Sequence, residues 1–138
     1  MYWQDSLTIH SSGRGTYEIT HEVEKLIRQS GVQQGLCHIF ISHTSASLII
    51  CENADPAVRQ DLETFMAKLS PDGDPMFTHH DEGADDMPAH IRTVLTQSEL
   101  SIPISNSASA LGMWQGIYLW EHRTAPHRRY VTVTIHGE

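Results

Sequence analysis

Residues 111–122 constrain this chain more than any other segment, because Met113, Ile117 and Leu119 alternate with Trp114, Tyr118 and Trp120. Successive side chains of a strand point to opposite faces, so this strand is apolar or aromatic on both. Such a strand has to be covered twice, by the chain's own helices or by another subunit.

The rest of the pattern supplies candidate neighbours. Residues 3–10 alternate loosely as a strand, and Ser11-Ser12-Gly13-Arg14-Gly15 interrupts it as a turn. Val23, Leu26 and Ile27 at helical spacing predict a helix over residues 20–30, with Gly31 as its stop. Residues 37–43 and 46–52 read as two apolar strands that deliver His43 and Glu52 at their ends. Asp55-Pro56 is a helix start, since aspartate caps free amides and proline tolerates the first helical position. Val58, Leu62, Phe65, Met66 and Leu69 follow on one face, which predicts a helix lying on a sheet. A shorter helix is expected from about Asp86, burying Ile91, Val94 and Leu95. Strands are expected over residues 100–104, 111–122 and 130–136 with no helix between them, so a compact α+β domain is predicted rather than a doubly wound fold. Its sheet would be mixed or antiparallel, packed with two to three helices, and would span residues 1–138 as one domain.

Composition narrows the partners. Seventeen acidic residues against nine Lys plus Arg give a net charge of −8, which opposes phosphate backbones and anionic lipid and argues against nucleic acid. No apolar run approaches the roughly 20 residues that span a bilayer. Cys37 and Cys51 sit in apolar runs and no secretory leader is evident, so both read as small buried hydrophobes in a cytoplasmic chain.

Ten histidines exceed the Lys plus Arg total, and three of them lie in Thr78-His79-His80-Asp81-Glu82-Gly83-Ala84-Asp85-Asp86-Met87-Pro88-Ala89-His90. Imidazole and carboxylate are the usual protein donors for zinc and related ions. Adjacent histidines on extended backbone face opposite ways, so only one of His79 and His80 serves a common ion, with His90 from the helix. The competing reading is a polar loop in which Asp85 or Asp86 caps the helix and the histidines are exposed. The run His43-Thr44-Ser45-Ala46-Ser47 either lines a polar pocket, donating to phosphate oxygens, or forms a turn with local hydrogen bonds. Arg123, Arg128 and Arg129 are candidates for an anionic ligand, since guanidinium forks grip phosphate bidentately. Glu121 shares a face with Ile117 and Leu119, and a buried carboxylate needs a cation or hydrogen bonds; Arg123 is the nearest candidate in sequence.

Taken in order, Arg14-Gly15, His43-Thr44-Ser45-Ala46-Ser47, Glu52-Asn53-Ala54-Asp55-Pro56, His80-Asp81, Asp86-Met87-Pro88-Ala89-His90, Leu111-Gly112, Trp114-Gln115-Gly116-Ile117-Tyr118, Glu121 and Arg128-Arg129 resemble the YjbQ-like family, the secondary thiamine-phosphate synthase enzymes. The resemblance implies a homotrimer with polar residues in a cleft near subunit contacts. It also implies a transferase that joins a pyrimidine pyrophosphate to a thiazole phosphate; the alternative is a non-catalytic binder of metal or of a phosphorylated small molecule. Carried onto this chain, it implies His80, His90 and Glu121 as ligands of a divalent metal, zinc or magnesium. His43, Glu121 and Asp86 become catalytic candidates, and Ser45, Gln115 and Arg128 substrate contacts. His80 is preferred to His79 because it forms the family's His-Asp pair. One departure is that Asn106-Ser107-Ala108-Ser109-Ala110 lacks the glycine and arginine usual there in the family.

Overall fold

A computed structural model describes all of residues 1–138. In chain order the elements are β1 (Tyr2–His10), β2 (Gly15–Glu18), α1 (Thr20–Ser30), β3 (Gly35–Ile41), β4 (Ala46–Glu52), α2 (Pro56–Leu69), α3 (Asp86–Leu95), β5 (Glu99–Ser105), β6 (Ala108–Ser109), β7 (Gln115–Glu121) and β8 (Arg128–Gly137). The fold is α+β, with every strand pair antiparallel: a five-stranded sheet ordered β1-β8-β3-β5-β6 and a three-stranded sheet ordered β2-β7-β4. The short strand β2 escapes sequence reading because it begins within the expected turn.

The inner faces of both sheets and α1 share one core of 18 buried residues, including Val23 and Ile27 from α1, Ile39 from β3, Leu48 from β4, Leu119 from β7 and Val133 from β8. Val131, Val133 and Ile135 point inward while Thr132 and Thr134 are only half-buried, as the alternation predicts. Gly31 closes α1 at φ 75°, a conformation glycine adopts without cost. Cys37 is buried in the core, and burial pushes its thiol up to about 12, with Glu24 adding to the shift. No helix is long and apolar enough to cross a membrane.

Strand β7 runs through the middle of the smaller sheet, and Gly116 to Glu121 are all buried within this chain. Its double apolar character therefore needs no second subunit. Met113 and Trp114 precede the strand and are exposed.

Two helices depart from the expected burial. Asp55 caps α2 by accepting from the Ala57 amide at 2.9 Å, yet no residue of α2 is fully buried: Val58, Leu62 and Met66 are half-buried, and Phe65 and Leu69 are exposed. In α3 the buried residues are Asp86, Pro88, Ala89, Arg92 and Thr93, whereas Val94 and Leu95 face solvent. The reason is a polar layer between α2, α3 and the outer face of the smaller sheet. Glu63 of α2 accepts from Arg92 Nη1 at 2.5 Å and from Trp120 Nε1 at 2.7 Å. Arg59 lies over the Tyr118 ring at 4.8 Å and donates to the Glu52 carbonyl. His122 shares a hydrogen bond of 2.8 Å with Ser47 Oγ, and both are fully buried.

Burial, reinforced by the charge of Arg92, holds His122 down at about 3 from an ordinary 6.5. The folded state refuses a proton that the unfolded chain accepts, so this contribution is intact above 6.5 and is lost as pH falls toward about 3. We expect stability from urea denaturation to fall by up to about 1.4 kcal/mol per pH unit through that window for this single proton. His122→Asn should flatten the slope; an unchanged slope would count against His122 as its source.

Candidate functional site

Helix α3 begins at the acid-rich end of the histidine segment and carries Asp86 and His90 four residues apart, hence on one face. Asp86 is 1% exposed, and its Oδ2 receives two imidazole nitrogens, His79 Nε2 at 2.7 Å and His90 Nε2 at 3.1 Å. Glu82 Oε2 stands 3.8 Å from His79 Nε2. Ligand atoms of His79, Glu82, Asp86 and His90 all lie within 4.8 Å of one another.

The orientation of His90 follows from its other nitrogen. Nδ1 sits 3.0 Å from the Thr44 carbonyl, which only accepts, so Nδ1 carries a proton and Nε2, which now faces Asp86 Oδ2, is the nitrogen left for an ion to take. A backbone carbonyl fixing the tautomer in this way is the usual support of a metal-binding imidazole. The acids are held from the opposite side by Arg123, whose Nε donates to Asp85 Oδ2 at 2.9 Å while Nη1 meets Asp86 Oδ1 at 2.8 Å and Nη2 donates to the Glu82 carbonyl. Burial works against ionisation of Asp85, but Arg123 and the Thr124 amide prevail and hold its carboxyl at about 2. Asp86 is likewise below the ordinary range: burial opposes ionisation, and the hydrogen bond from His79 with the charges of His90 and Arg123 outweighs it.

The residues expected at the centre are distributed differently. His80 is three-quarters exposed and pairs loosely with Asp81 at 3.6 Å, so His79 is the inward member of the pair. Glu121 is fully buried and every acceptor direction is occupied. Its Oε1 accepts from Ser11 Oγ at 2.7 Å and Arg129 Nε at 2.8 Å, and Oε2 from Arg129 Nη2 at 2.5 Å and the Arg123 amide at 3.1 Å. That arrangement makes Glu121 an anchor for arginine rather than a ligand or base. Its partner is the Arg129 guanidinium, with Arg123 contributing only its backbone amide. Arg129 lies on the inward face with Val131 by strand alternation, a signal present in the sequence; Arg128, on the other face, is exposed. Burial opposes ionisation of Glu121, but hydrogen bonds from Arg129 and Ser11 keep its pKa below the ordinary value.

His43 and Ser45 belong to this buried network. Tyr130 N–H donates to His43 Nε2 at 2.9 Å, which leaves the ring proton on Nδ1, 3.3 Å from Arg129 Nη1, and Arg129 Nη2 donates to Ser45 Oγ at 2.9 Å. Burial and the neighbouring Arg129 lower the His43 pKa, which keeps its ring neutral. A cavity of about 400 Å³ joins His43 to His90, with Thr44, Thr93, Thr96 and Ser98 among its walls. Gln115 is elsewhere. It opens β7 while Glu121 closes it, and six residue steps of strand separate them by about 20 Å. Its Oε1 accepts from the Gly112 amide at 2.7 Å. The segment that departs from the family pattern forms the turn between β5 and β6, with Asn106 and Ser107 both at positive φ. That turn closes the end of β5 remote from Ser98 and therefore remote from the cavity.

The match to known proteins covers this whole architecture. Residues 5–138 fit the family model described as UPF0047 protein YjbQ-like. The chain belongs to that family. It is 48% identical over 135 residues to UPF0047 protein sll1880 of Synechocystis, covering 98% of this chain and 92% of that one. With UPF0047 protein YjbQ of Escherichia coli O157:H7 it shares 40% identity over the full length of both. Among solved structures, the YjbQ/UPF0047 family protein CA_C0907 from Clostridium acetobutylicum superposes with a TM-score of 0.84 at 36% identity, covering 97% of this chain and 99% of that one. The hypothetical protein APE1520 from Aeropyrum pernix K1 gives 0.89 at 26% identity, covering 99% of each. The UPF0047 YjbQ-like fold thus extends to both sheets and to the helix that bears Asp86 and His90.

The Glu121–Arg129 pair yields a stability test. Arg129→Met leaves a buried carboxylate without its cation and should cost about 3–5 kcal/mol. Pairing it with Glu121→Leu should recover most of that loss, whereas Arg128→Met should stay within about 0.5 kcal/mol of the parent. Denaturation midpoints decide; a double variant no more stable than Arg129→Met alone would contradict the assignment.

Proposed function

We propose that the protein holds a divalent metal ion through His79, Asp86 and His90, with Glu82 as the adjustable fourth donor, and uses it to engage a phosphorylated small molecule. The observation that carries this reading is the convergence of four ligand atoms within 4.8 Å around one buried carboxylate. Two imidazoles with carboxylates suit zinc, whereas magnesium prefers an all-oxygen shell that retains water. The Thr44 carbonyl contributes by holding His90 in the tautomer that a metal requires. Arg123 keeps Asp85 and Asp86 ionised and in place.

A bound ion would supply Lewis acidity toward an anionic phosphate oxygen. The chain's own contribution is a cavity with threonine and serine hydroxyls beside His90 and an exposed cation at Arg128. The transferase chemistry that the resemblance implies, coupling a pyrimidine pyrophosphate to a thiazole phosphate with release of pyrophosphate, is the reaction to assay. The competing reading is a binding module without catalysis. It is favoured by one specific observation: the candidates for a base are both occupied, Glu121 by Arg129 and the His43 lone pair by the Tyr130 amide. A homotrimer fits either reading, and the exposed Met113, Trp114, Val94 and Leu95 are apolar surface available to it.

Zinc titration by calorimetry should give one site per chain. His79→Ala and His90→Ala should each weaken it by more than about 100-fold, the upper end of losses seen for supporting residues alone. His80→Ala should change it less than about twofold. Equal losses at His79 and His80, or no metal uptake at all, would defeat the assignment. For the assembly, light scattering should return about three chain masses; a monomer would refute the trimer.

A further inference from the structure

The segment between α2 and α3 has its own architecture. It is closed at the neck where the Gly73 amide donates to the Ala84 carbonyl at 3.0 Å. Both sides of the neck are pinned by arginine: Asp72 accepts from Arg14 Nη1 and Nη2 at 2.9 and 3.0 Å, and Asp85 from Arg123 Nε at 2.9 Å. Arg14 is in turn fixed by donating its Nε–H to the His122 carbonyl at 3.0 Å. The neck is therefore tied to the end of β7 at both ends.

Beyond the neck the loop is weakly held. No residue from 73 to 84 is buried, and only Asp74 and Phe77 are half-buried. Its hydrogen bonds are mostly internal, such as the Phe77 amide to the Asp74 carbonyl at 3.1 Å and the Gly83 amide to the His80 carbonyl at 3.4 Å. Past its neck, the polar ties to the body are Arg123 to the Glu82 carbonyl, the Asp86 amide to the Gly83 carbonyl and His79 to Asp86. Segments with few buried contacts open at low free energy. Beneath the loop is a cavity of about 440 Å³, walled by Pro75, Phe77, His79 and Ala84 on the loop side and by Met87 of α3. Eight of its nine lining residues are loop, so the cavity depends on the conformation the loop holds and is closed against α3 at Met87.

We propose that residues 73–84 form a metal-latched lid: an ion joining His79 and Glu82 of the loop to Asp86 and His90 of α3 fastens the loop and so fixes the conformation that shapes the cavity. This rests on the metal reading above. The arginine-pinned neck is the hinge, and the loop tip bearing His79 is the moving part. A molecule that fills the cavity then binds the metal-loaded protein preferentially, since linkage between two ligands of one conformation is reciprocal.

The test is amide hydrogen exchange of the intact chain with and without zinc, run beside calorimetric zinc titration. Zinc at about 100 times its dissociation constant, binding only the docked loop, reduces the open population about 100-fold. We expect exchange across residues 74–83 to slow by about tenfold or more, with β7 amides unchanged. Zinc uptake without such slowing would overturn the lid while leaving the metal site standing. Failure to take up zinc would remove both. Slowing that is equally strong in Glu82→Gln and His79→Ala, at zinc levels that saturate each, would also overturn the latch, because the loop would then be ordered without its ligands.

Discussion

The carboxylate of Glu121 organises more of this molecule than any other group. It ends β7 in the smaller sheet and meets Arg129 near the start of β8 in the larger one, so a single ion pair joins the two sheets at one end of the core. Desolvating both charges is costly, and the cost is offset only because each group is hydrogen-bonded in nearly every direction. The consequences spread along two branches. Through Arg129 the pair holds His43 and Ser45 on either side of Thr44, whose carbonyl orients His90. Through the Arg123 amide it holds the backbone from which the Arg123 side chain reaches Asp85 and Asp86. Both the imidazole and the acid halves of the cluster therefore hang from one buried carboxylate that touches neither.

The second organising feature is the polar layer on the outer face of the smaller sheet. Arg92, fully buried, is neutralised by Glu63, and Glu63 also receives the Trp120 indole. Ion pairs specify direction in a way that aliphatic contacts do not, and here they set the rotation of both helices. With Glu63 and Arg92 turned inward, Phe65, Leu69, Val94 and Leu95 are turned out. The inversion is partial, because Val58, Leu62 and Met66 stay half-buried beside Arg59 and Glu63 while the other apolar residues of the helix face solvent.

That inversion explains which parts of the fold were legible in the sequence. Strand alternation gave β8, β5 and the inward placement of Glu121, because a half-buried sheet imposes a strict period of two. The start of α2 at Asp55-Pro56 and the stop of α1 at Gly31 follow from local backbone chemistry and agree with the structure. The burial of α2 and α3 did not follow, since the buried arginine and glutamate that determine it are far apart in sequence. At the site, His90 and Asp86 were readable as positions four apart on one helical face. The choice between His79 and His80 was not, because it depends on how an irregular loop returns to the helix. The partner of Glu121 was accessible by parity: Arg129 shares the face of Val131, whereas Arg123 is nearer only in sequence.

The four donors divide into two mechanical classes. Asp86 and His90 are on a helix whose first turn is buried and braced by Arg123 and Thr44. His79 and Glu82 are on exposed backbone with almost no packing of its own. A site with all four donors on rigid elements would bind an ion without consequence for the rest of the molecule. In the proposed site, ordering the loop would be deducted from the intrinsic affinity of the donors, so ion binding and loop order would be thermodynamically the same event. Arg123 makes this coupling directional: it braces Asp85 and Asp86 while also holding the Glu82 carbonyl. The helix half is thus preorganised, and the loop half is kept within reach of it.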